Sequence, residues 1–446
     1  MYCAPPRFTL KYRLNDLRAA PGTPRTPHPK EKEHTVNATG DAHHAGKFWI
    51  ITLLAAAMLM ITMGSRQTMG LFISPMNTTT GLGIVQISFA LAIAQFVWGA
   101  MQPIAGAVAD RYGPGRVLAA GLLILAAGTA LTPFMTNSWG LIFSIGILTA
   151  AGAGAGSFSV LIGAAAQRLP EQRRGMASGI INAGGSFGQF VFAPLVQKLI
   201  SSLGWMGAMW SLAAITLTAL PLARALRRPA AGAAAQAQHL ATAPSGGLRT
   251  ALREALANPS YLLLHAGFFT CGFHIAFLVT HLPGQVELCG LPAQVASWSL
   301  AIIGIANIAG SLLAGWGVQR YRSKYILSWM YGSRAVLVVL YLLAPKTEVT
   351  FYLFAAGLGL TWLATVPPTA GIVGKLFGIR YLSTLFGLTL LTHQVGAFFG
   401  AWLGGIAITQ SGNYDWMWYA DIALATFAAL CNLPIREAKM PQLLPA

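Results

Sequence analysis

The segment GAVADRYGPGR, residues 106–116, decides how this chain folds. It lies where two apolar stretches meet, one near 84–108 and the other near 117–135. About 20 apolar residues cross a bilayer as a helix, because lipid offers no partners for exposed backbone groups. Two such stretches joined by a tight polar turn predict a pair of membrane-spanning helices with the turn at one membrane surface.

Apolar stretches of the same kind recur along the chain, and a polar segment from Arg227 to Ser260 divides them into two sets of six. We therefore predict an all-α integral membrane protein with twelve transmembrane helices in two pseudo-symmetric six-helix bundles. The predicted spans lie near 48–73, 84–108, 117–135, 140–166, 176–200, 205–226, 261–283, 294–318, 325–344, 350–374, 381–408 and 415–434.

The composition excludes an ordinary soluble domain. Only 9% of the 446 residues are charged and 55% are hydrophobic, whereas a soluble domain carries roughly 25% charged residues. We interpret the net charge of +17 as a topology signal, because basic residues concentrate in cytoplasmic loops. We predict no nucleic-acid partner. The four cysteines have no metal-ligand or paired spacing, so no metal site, disulfide framework or cofactor is predicted.

The basic residues give an independent test of the helix count. About 25 of the 29 lysines and arginines fall in the two tails and in the loops that follow the second, fourth, sixth, eighth and tenth spans. All of these segments lie on one side of the membrane. The asymmetry predicts an inner (plasma) membrane protein with both termini in the cytoplasm. Residues 247–260 are either a short amphipathic surface helix or a solvated connector. The predicted domains are a disordered N-terminal tail (1–46), a first bundle (47–226), a cytoplasmic linker (227–260), a second bundle (261–435) and a C-terminal tail (436–446).

The two halves repeat each other at an almost constant offset. With a shift of about 208 residues, Gly64 and Arg66 align with Gly272 and His274. Parallel halves related by an axis along the membrane normal are a known transporter plan. Further aligned pairs are Pro75 with Pro283, Gly179 with Gly387, Gly188 with Gly396, Gly106 with Gly315 and Arg111 with Arg320.

The residues of the 106–116 loop suit a gate. Glycine permits close approach of helices, while Asp110 and Arg111 can form charge-assisted bonds to neighbouring helix ends. Such bonds hold one face of the protein shut and break when it opens. An ordinary polar tight turn is the alternative. The predicted gating residues are Gly106, Asp110, Arg111, Gly113, Arg116 and, in the second half, Arg320.

The same loop resembles the signature of the major facilitator superfamily, G-x-x-x-D-R-x-G followed by basic residues. It departs at Pro114 and Gly115, where the family usually has a basic residue, and in the second half Gln319 takes the acidic position. The resemblance covers roughly residues 48–435. It implies the major facilitator fold, in which helices 1, 4, 7 and 10 line a central cavity.

Other segments look like the monocarboxylate-porter-like branch of that superfamily, which includes oxalate/formate-type exchangers. They are the glycine-rich fifth and eleventh spans, GSRQTMGLF at 64–72 and LATVPP at 363–368. The better-known carboxylate carriers of the branch use an arginine in the eighth helix, whereas residues 296–318 contain no charged residue. The proline pair at 367–368 should kink or loosen the tenth helix.

Charge inside a span is expensive and usually functional. Arg66 in the first helix and His274 at equivalent depth in the seventh are predicted to face each other across the cavity. Arg66 offers a planar donor fork for carboxylate, and histidine is the side chain type that can gain or lose charge near neutral pH. The alternatives are that Arg66 snorkels or bonds carbonyls and that His274 is a packing histidine. Further predicted substrate-binding residues are Trp362, His393 and Gln189, with Arg334 and Asp421 interpreted as a structural pair.

The predicted cavity-lining helices contain no Asp or Glu, so the cavity should be electropositive. We predict a secondary active or facilitative transporter of a small organic anion, a monocarboxylate, working by alternating access, with any proton coupling through histidine. The alternative is an exporter of a drug-like or lipopeptide-like amphiphile. No enzyme is predicted, because no nucleophile–base constellation appears. The expected partners are the anion, protons and the lipid bilayer, with a functional monomer.

Overall fold

The computed structural model describes residues 38–166, 171–226, 248–377 and 382–437. These residues form helices and short connections, with no β-strand among them. The predicted N-terminal tail up to residue 37, the linker at 227–247 and the C-terminal tail from 438 lie outside the described residues. The packing below concerns the chain from Ala45 onward, which forms one unit.

The first half of the chain contains helices α1 to α9. A 3-10 turn, Met69–Phe72, joins α1 to α2, and a π-helix, Ile142–Thr149, joins α5 to α6. The bounds are Ala38–Gln67 (α1), Ile73–Thr80 (α2), Ile84–Tyr112 (α3), Pro114–Leu131 (α4), Ser138–Leu141 (α5), Ala150–Ala155 (α6), Phe158–Ala166 (α7), Glu171–Thr218 (α8) and Leu220–Ala225 (α9).

The second half contains helices α10 to α17. The first of them, α10, is a helix inside the predicted linker, so the described part of that segment is helical. The bounds are Leu248–Leu256 (α10), Pro259–Leu288 (α11), Ala293–Arg320 (α12), Ser323–Leu343 (α13), Glu348–Thr361 (α14), Val366–Phe377 (α15), Leu382–Ser411 (α16) and Asp415–Asn432 (α17).

The described helices supply twelve spans, as the sequence predicts. Ten helical segments are long and apolar enough to cross a membrane. One of them, Gly179–Ala225, has 47 residues, or about 70 Å at 1.5 Å per residue, more than twice the hydrocarbon thickness. It breaks at Gly204, where φ is 69°, and so provides two spans. The last span is α17, whose Asp415 and Asp421 lower its hydropathy.

The two halves pack through pairs of long helices. Helix α3 lies against α16, and α8 lies against α12. The second contact depends on Gly304, because a methyl group there would lie 2.7 Å from the carbonyl oxygen of Ser186 and 2.8 Å from the nitrogen of Phe190. Backbone therefore packs directly on backbone at this seam.

The tenth span is broken upstream of the prolines that predict a kink. Helix α14 ends at Thr361 and α15 begins at Val366. Pro367 and Pro368 lie in the first turn of α15, where a missing backbone N–H leaves no hydrogen bond unmade. The break itself therefore occupies residues 362–365, and its free backbone groups need partners from other helices.

Substitution Gly304→Ala tests the packing of the α8–α12 seam. We expect a loss of about 1–3 kcal/mol in stability, because the added methyl group overpacks a backbone contact. Thermal unfolding of the purified protein measures the effect. The matched control is Gly315→Ala on the same helix, where a methyl group would meet no described residue within 4 Å. Equal unfolding temperatures for the two variants would contradict the close seam.

Candidate functional site

Arg66 in the last turn of α1 is held by two residues of α3. Its Nη2 donates a hydrogen bond to Oε1 of Gln95, and its guanidinium carbon lies 4.1 Å from the ring centroid of Trp98. Among the described residues it forms no ion pair. A permanent positive charge is therefore compensated only by a neutral amide and an aromatic face.

Arg66 lines a narrow cavity of about 30 Å³, which has room for about two waters. The polar groups of its described lining come from Arg66, Gln95, Thr149 and Thr280, and none of that lining is acidic. The remaining lining residues are Met69, Gly70, Leu91, Ala94, Ile145, Ala150, Ala153 and Val279. Residues of both halves of the chain thus enclose one electropositive space.

His274 does not face Arg66 as the repeat predicts. Its Nδ1 lies 2.6 Å from Oδ2 of Asp421 on α17, and both side chains are buried. The ring of Trp362 packs edge-on against the imidazole at 6.1 Å between centroids. The repeat predicts the depth of His274 in its helix, but the acid on α17 turns the side chain into the second half.

Arg334 does not pair with Asp421, which corrects the predicted structural pair. The guanidinium instead donates hydrogen bonds at the end of α14. It donates to the carbonyl oxygen of Thr361, to that of Trp362 at 2.7 Å and to Sγ of Cys271 at 3.3 Å. These carbonyls are the groups that the break in the tenth span leaves without helical partners.

Asn307 on α12 hydrogen-bonds both to the broken tenth span and to the first half of the chain. Its Oδ1 accepts a hydrogen bond from the backbone nitrogen of Leu363 at 2.9 Å, and its Nδ2 donates to Oγ of Ser186 at 2.8 Å. A single buried amide therefore joins the broken span to α8 across the seam between the halves.

The other predicted substrate residues lie apart from Arg66. Trp362 is fully buried beside His274. His393 on α16 packs on the ring of Phe268 at 4.8 Å. Gln189 on α8 is buried at the seam, next to Gly304. The structure brings Trp362 together with His274, and places neither in the lining of the Arg66 cavity.

The predicted gating residues lie in or near the ends of α3, α4 and α12. Gly113 has φ of 91° and lies between α3 and α4, a conformation that favours glycine. Arg320 ends α12 and stacks on Trp316 at 4.3 Å. Arg116 is exposed and Gly106 is half-buried, while the side chains of Asp110 and Arg111 lie outside the described set. Their gating role stays a prediction.

Sequence reasoning missed Gln95, Trp98 and Asn307. Gln95 and Trp98 are three residues apart and so share one face of a helix, which is the pattern that points to them. Asn307 stands alone as an amide in an apolar span, a position that is expensive unless the side chain is hydrogen-bonded. No local pattern indicates which backbone groups it would serve.

These features define a polytopic membrane transporter, with a charged cavity between two sets of helices. The chain belongs to the major facilitator superfamily, whose family model matches residues 49–401 and again 290–446.

The chain is also similar in sequence to two relatives and in fold to one solved structure. The chain is 26% identical over 378 residues to monocarboxylate transporter 13 of Rattus norvegicus, covering 82% of this chain and 83% of the relative. It is 24% identical over 380 residues to the oxalate:formate antiporter of Oxalobacter formigenes, covering 83% and 87%. The crystal structure of a D-xylose-proton symporter matches with a TM-score of 0.68 at 16% identity, over 87% of this chain and 97% of that one.

Substitution Arg334→Gln tests the role of this arginine at the broken span. We expect it to cost about 1–3 kcal/mol, because the carbonyl oxygens of Thr361 and Trp362 lose their donors inside a buried region. Thermal unfolding of the purified protein gives the measurement. The control is Arg320→Gln, an exposed arginine that should change stability by less than about 0.5 kcal/mol. A wild-type unfolding temperature for Arg334→Gln would refute the capping role.

Proposed function

We propose that this chain transports a small organic anion, a monocarboxylate, by alternating access between its two halves, with Arg66 as the anchor of the anion. The observation that carries the proposal is the permanent charge of Arg66 in a cavity whose described lining contains no acid.

The chemistry of Arg66 favours a carboxylate. Its present partner, Gln95, is neutral, and a hydrogen bond to an ionised acceptor is roughly twice as strong as one between neutral groups. A carboxylate therefore gains by taking the place of the amide, and the planar guanidinium can bind both of its oxygens. Trp98 packs against the guanidinium and keeps the donor fork oriented.

The size of the cavity bears on the mechanism. This space has room for about two waters, less than a carboxylate with several carbon atoms occupies, so we infer that the halves move apart when an anion enters. Alternating access supplies that movement, because rocking of one half against the other widens the space from one side at a time.

The first and seventh spans touch at the end of the helices where Gly81 follows α2, which we call the Gly81 end. There Gly70 packs closely on the backbone of Val279 and Thr280. On the same side, Oγ of Ser74 donates to Oε1 of Glu287 at 3.0 Å. Both contacts connect the first and seventh spans, and they support a conformation closed at this end.

At the opposite end, which we call the Gly113 end, the described residues leave room beside several glycines. A methyl group built on any of four repeat-related glycines near this end would meet no described residue within 4 Å; they are Gly106, Gly179, Gly315 and Gly387. This supports a conformation in which the anion enters or leaves from the Gly113 end. The excess of basic residues in the corresponding loops places this end in the cytoplasm under our proposal, with the chain in the inner membrane.

The names of the relatives agree with this substrate class. One is a monocarboxylate transporter and another an oxalate:formate antiporter. The gating roles of Gly106, Asp110, Arg111, Gly113, Arg116 and Arg320 belong to the same proposal. Under this proposal, these residues form the contacts that close the Gly113 end in the alternate conformation.

Uptake of labelled lactate, pyruvate, formate and oxalate into proteoliposomes tests the proposal. We expect Arg66→Ala to weaken the apparent affinity for the transported anion about 10- to 150-fold, since a hydrogen bond to a charged group contributes about 1.5–3 kcal/mol. Arg66→Lys should fall between wild type and Arg66→Ala, because it keeps the charge and loses the fork.

The matched control is Lys198→Ala, which removes an exposed cation from the same half and should leave uptake unchanged. An Arg66→Ala variant with wild-type affinity for the anion would contradict the role of Arg66 in binding it. Export of a neutral amphiphile that survives Arg66→Ala, with no uptake of any of the four anions, would favour the alternative function.

A further inference from the structure

A second polar centre lies inside the second half of the chain, away from the Arg66 cavity. It consists of His274 on α11 and Asp421 on α17, which are 1% and 0% exposed. Each has one unused polar atom. Nε2 of His274 and Oδ1 of Asp421 have no hydrogen-bond partner among the described residues. Buried polar atoms without partners are rare and costly, so this pair needs an explanation.

The hydrogen bond within the pair fixes where a proton can bind. A carboxylate only accepts hydrogen bonds, so Nδ1 of His274 carries the hydrogen that reaches Oδ2 of Asp421 at 2.6 Å. The other ring nitrogen, Nε2, then has a free lone pair. One proton added at Nε2 converts the imidazole to an imidazolium that still donates to the carboxylate, so no hydrogen bond is lost.

The surrounding charges make both protonation states tolerable. Arg334 donates to the carbonyl oxygen of Trp362, whose ring packs on His274. Without the added proton, the charges of Arg334 and Asp421 cancel. With it, the region carries one net positive charge. The other titratable groups that face this region are Cys271 on α11, Tyr331 on α13 and His393 on α16.

Helix α11 connects this centre to the anion cavity. Val279 and Thr280 line the Arg66 cavity and lie five and six residues after His274, or about 8–9 Å along the helix. The same two residues form the close contact with Gly70 of the first half. A change in charge at His274 therefore acts on the helix that encloses the anion and joins the halves.

We propose that the His274–Asp421 pair is the site at which a proton binds and is carried with the anion, one proton for each monocarboxylate. The inference rests on the proposed function. One proton adds a positive charge to the interior and one anion adds a negative charge, so joint binding leaves the net charge unchanged. The proton enters at Nε2 of His274 from one side of the membrane and leaves to the other.

Accumulation in proteoliposomes under a pH gradient tests the coupling. With the exterior one pH unit more acidic, coupling of one proton to one anion sets a tenfold accumulation of whichever of the three monocarboxylates, lactate, pyruvate or formate, the wild type carries. His274→Gln and Asp421→Asn should abolish accumulation beyond that of protein-free vesicles, and should retain exchange of labelled for unlabelled anion without a gradient. The control is His265→Gln on the same helix, whose ring bonds Thr392 at 2.6 Å; it should keep both activities.

The outcomes separate the two proposals. Exchange by the wild type without accumulation, or full accumulation in His274→Gln, would overturn the proton site and leave the anion carrier standing. No exchange and no accumulation of any of the four anions by the wild type would instead count against the proposed function.

A second measurement needs no substrate and does not depend on transport by the variants. Infrared difference spectra of the purified protein between pH 5 and pH 8 should contain an imidazole protonation band from His274. That band should disappear in His274→Gln and persist in His265→Gln. A wild-type spectrum identical to that of His274→Gln would also overturn the proton site.

Discussion

Backbone hydrogen bonding in surroundings without water is the constraint on which this structure depends. Lipid cannot satisfy a free N–H or C=O, so each span is helical and each interruption needs partners from elsewhere in the protein. The tenth span makes this visible. Its break at 362–365 is served by Arg334 from α13 and Asn307 from α12. The same amide of Asn307 bonds Ser186 in the first half, so satisfying the break also helps to join the halves.

The cost of buried charge explains how the two halves differ. The first half holds Arg66 against a neutral amide and a tryptophan. The second half holds Asp421 against the imidazole of His274 and Arg334 on the carbonyls at a helix end. An uncompensated cation suits a site that a transported anion visits, and an internally balanced set suits a site that gains and loses a proton. The repeat therefore carries two different chemistries on one architecture.

Much of this could be predicted from the sequence, and the limits have physical reasons. The length and hydropathy of a span can be read from consecutive residues, so all twelve spans could be predicted. The offset of about 208 residues aligns Arg66 with His274, but it does not give the direction of a side chain. Asp421 decides that direction for His274 from 147 residues away. The partners of Arg334 are backbone carbonyls freed by the break, and no local pattern in the chain indicates where a helix will be held open.

The central claim is that Arg66 binds the charge of a small carboxylate, and matched ligands test it most directly. L-Lactate and lactamide have nearly the same size and differ in the carboxylate. The account predicts that lactate, or another monocarboxylate of the four tested, raises the unfolding temperature of the purified protein, because a ligand that binds only the folded state stabilises it. The corresponding amide should have no effect, and neither ligand should stabilise Arg66→Ala. Equal stabilisation by an acid and its amide, or an undiminished effect of the acid on Arg66→Ala, would contradict the account.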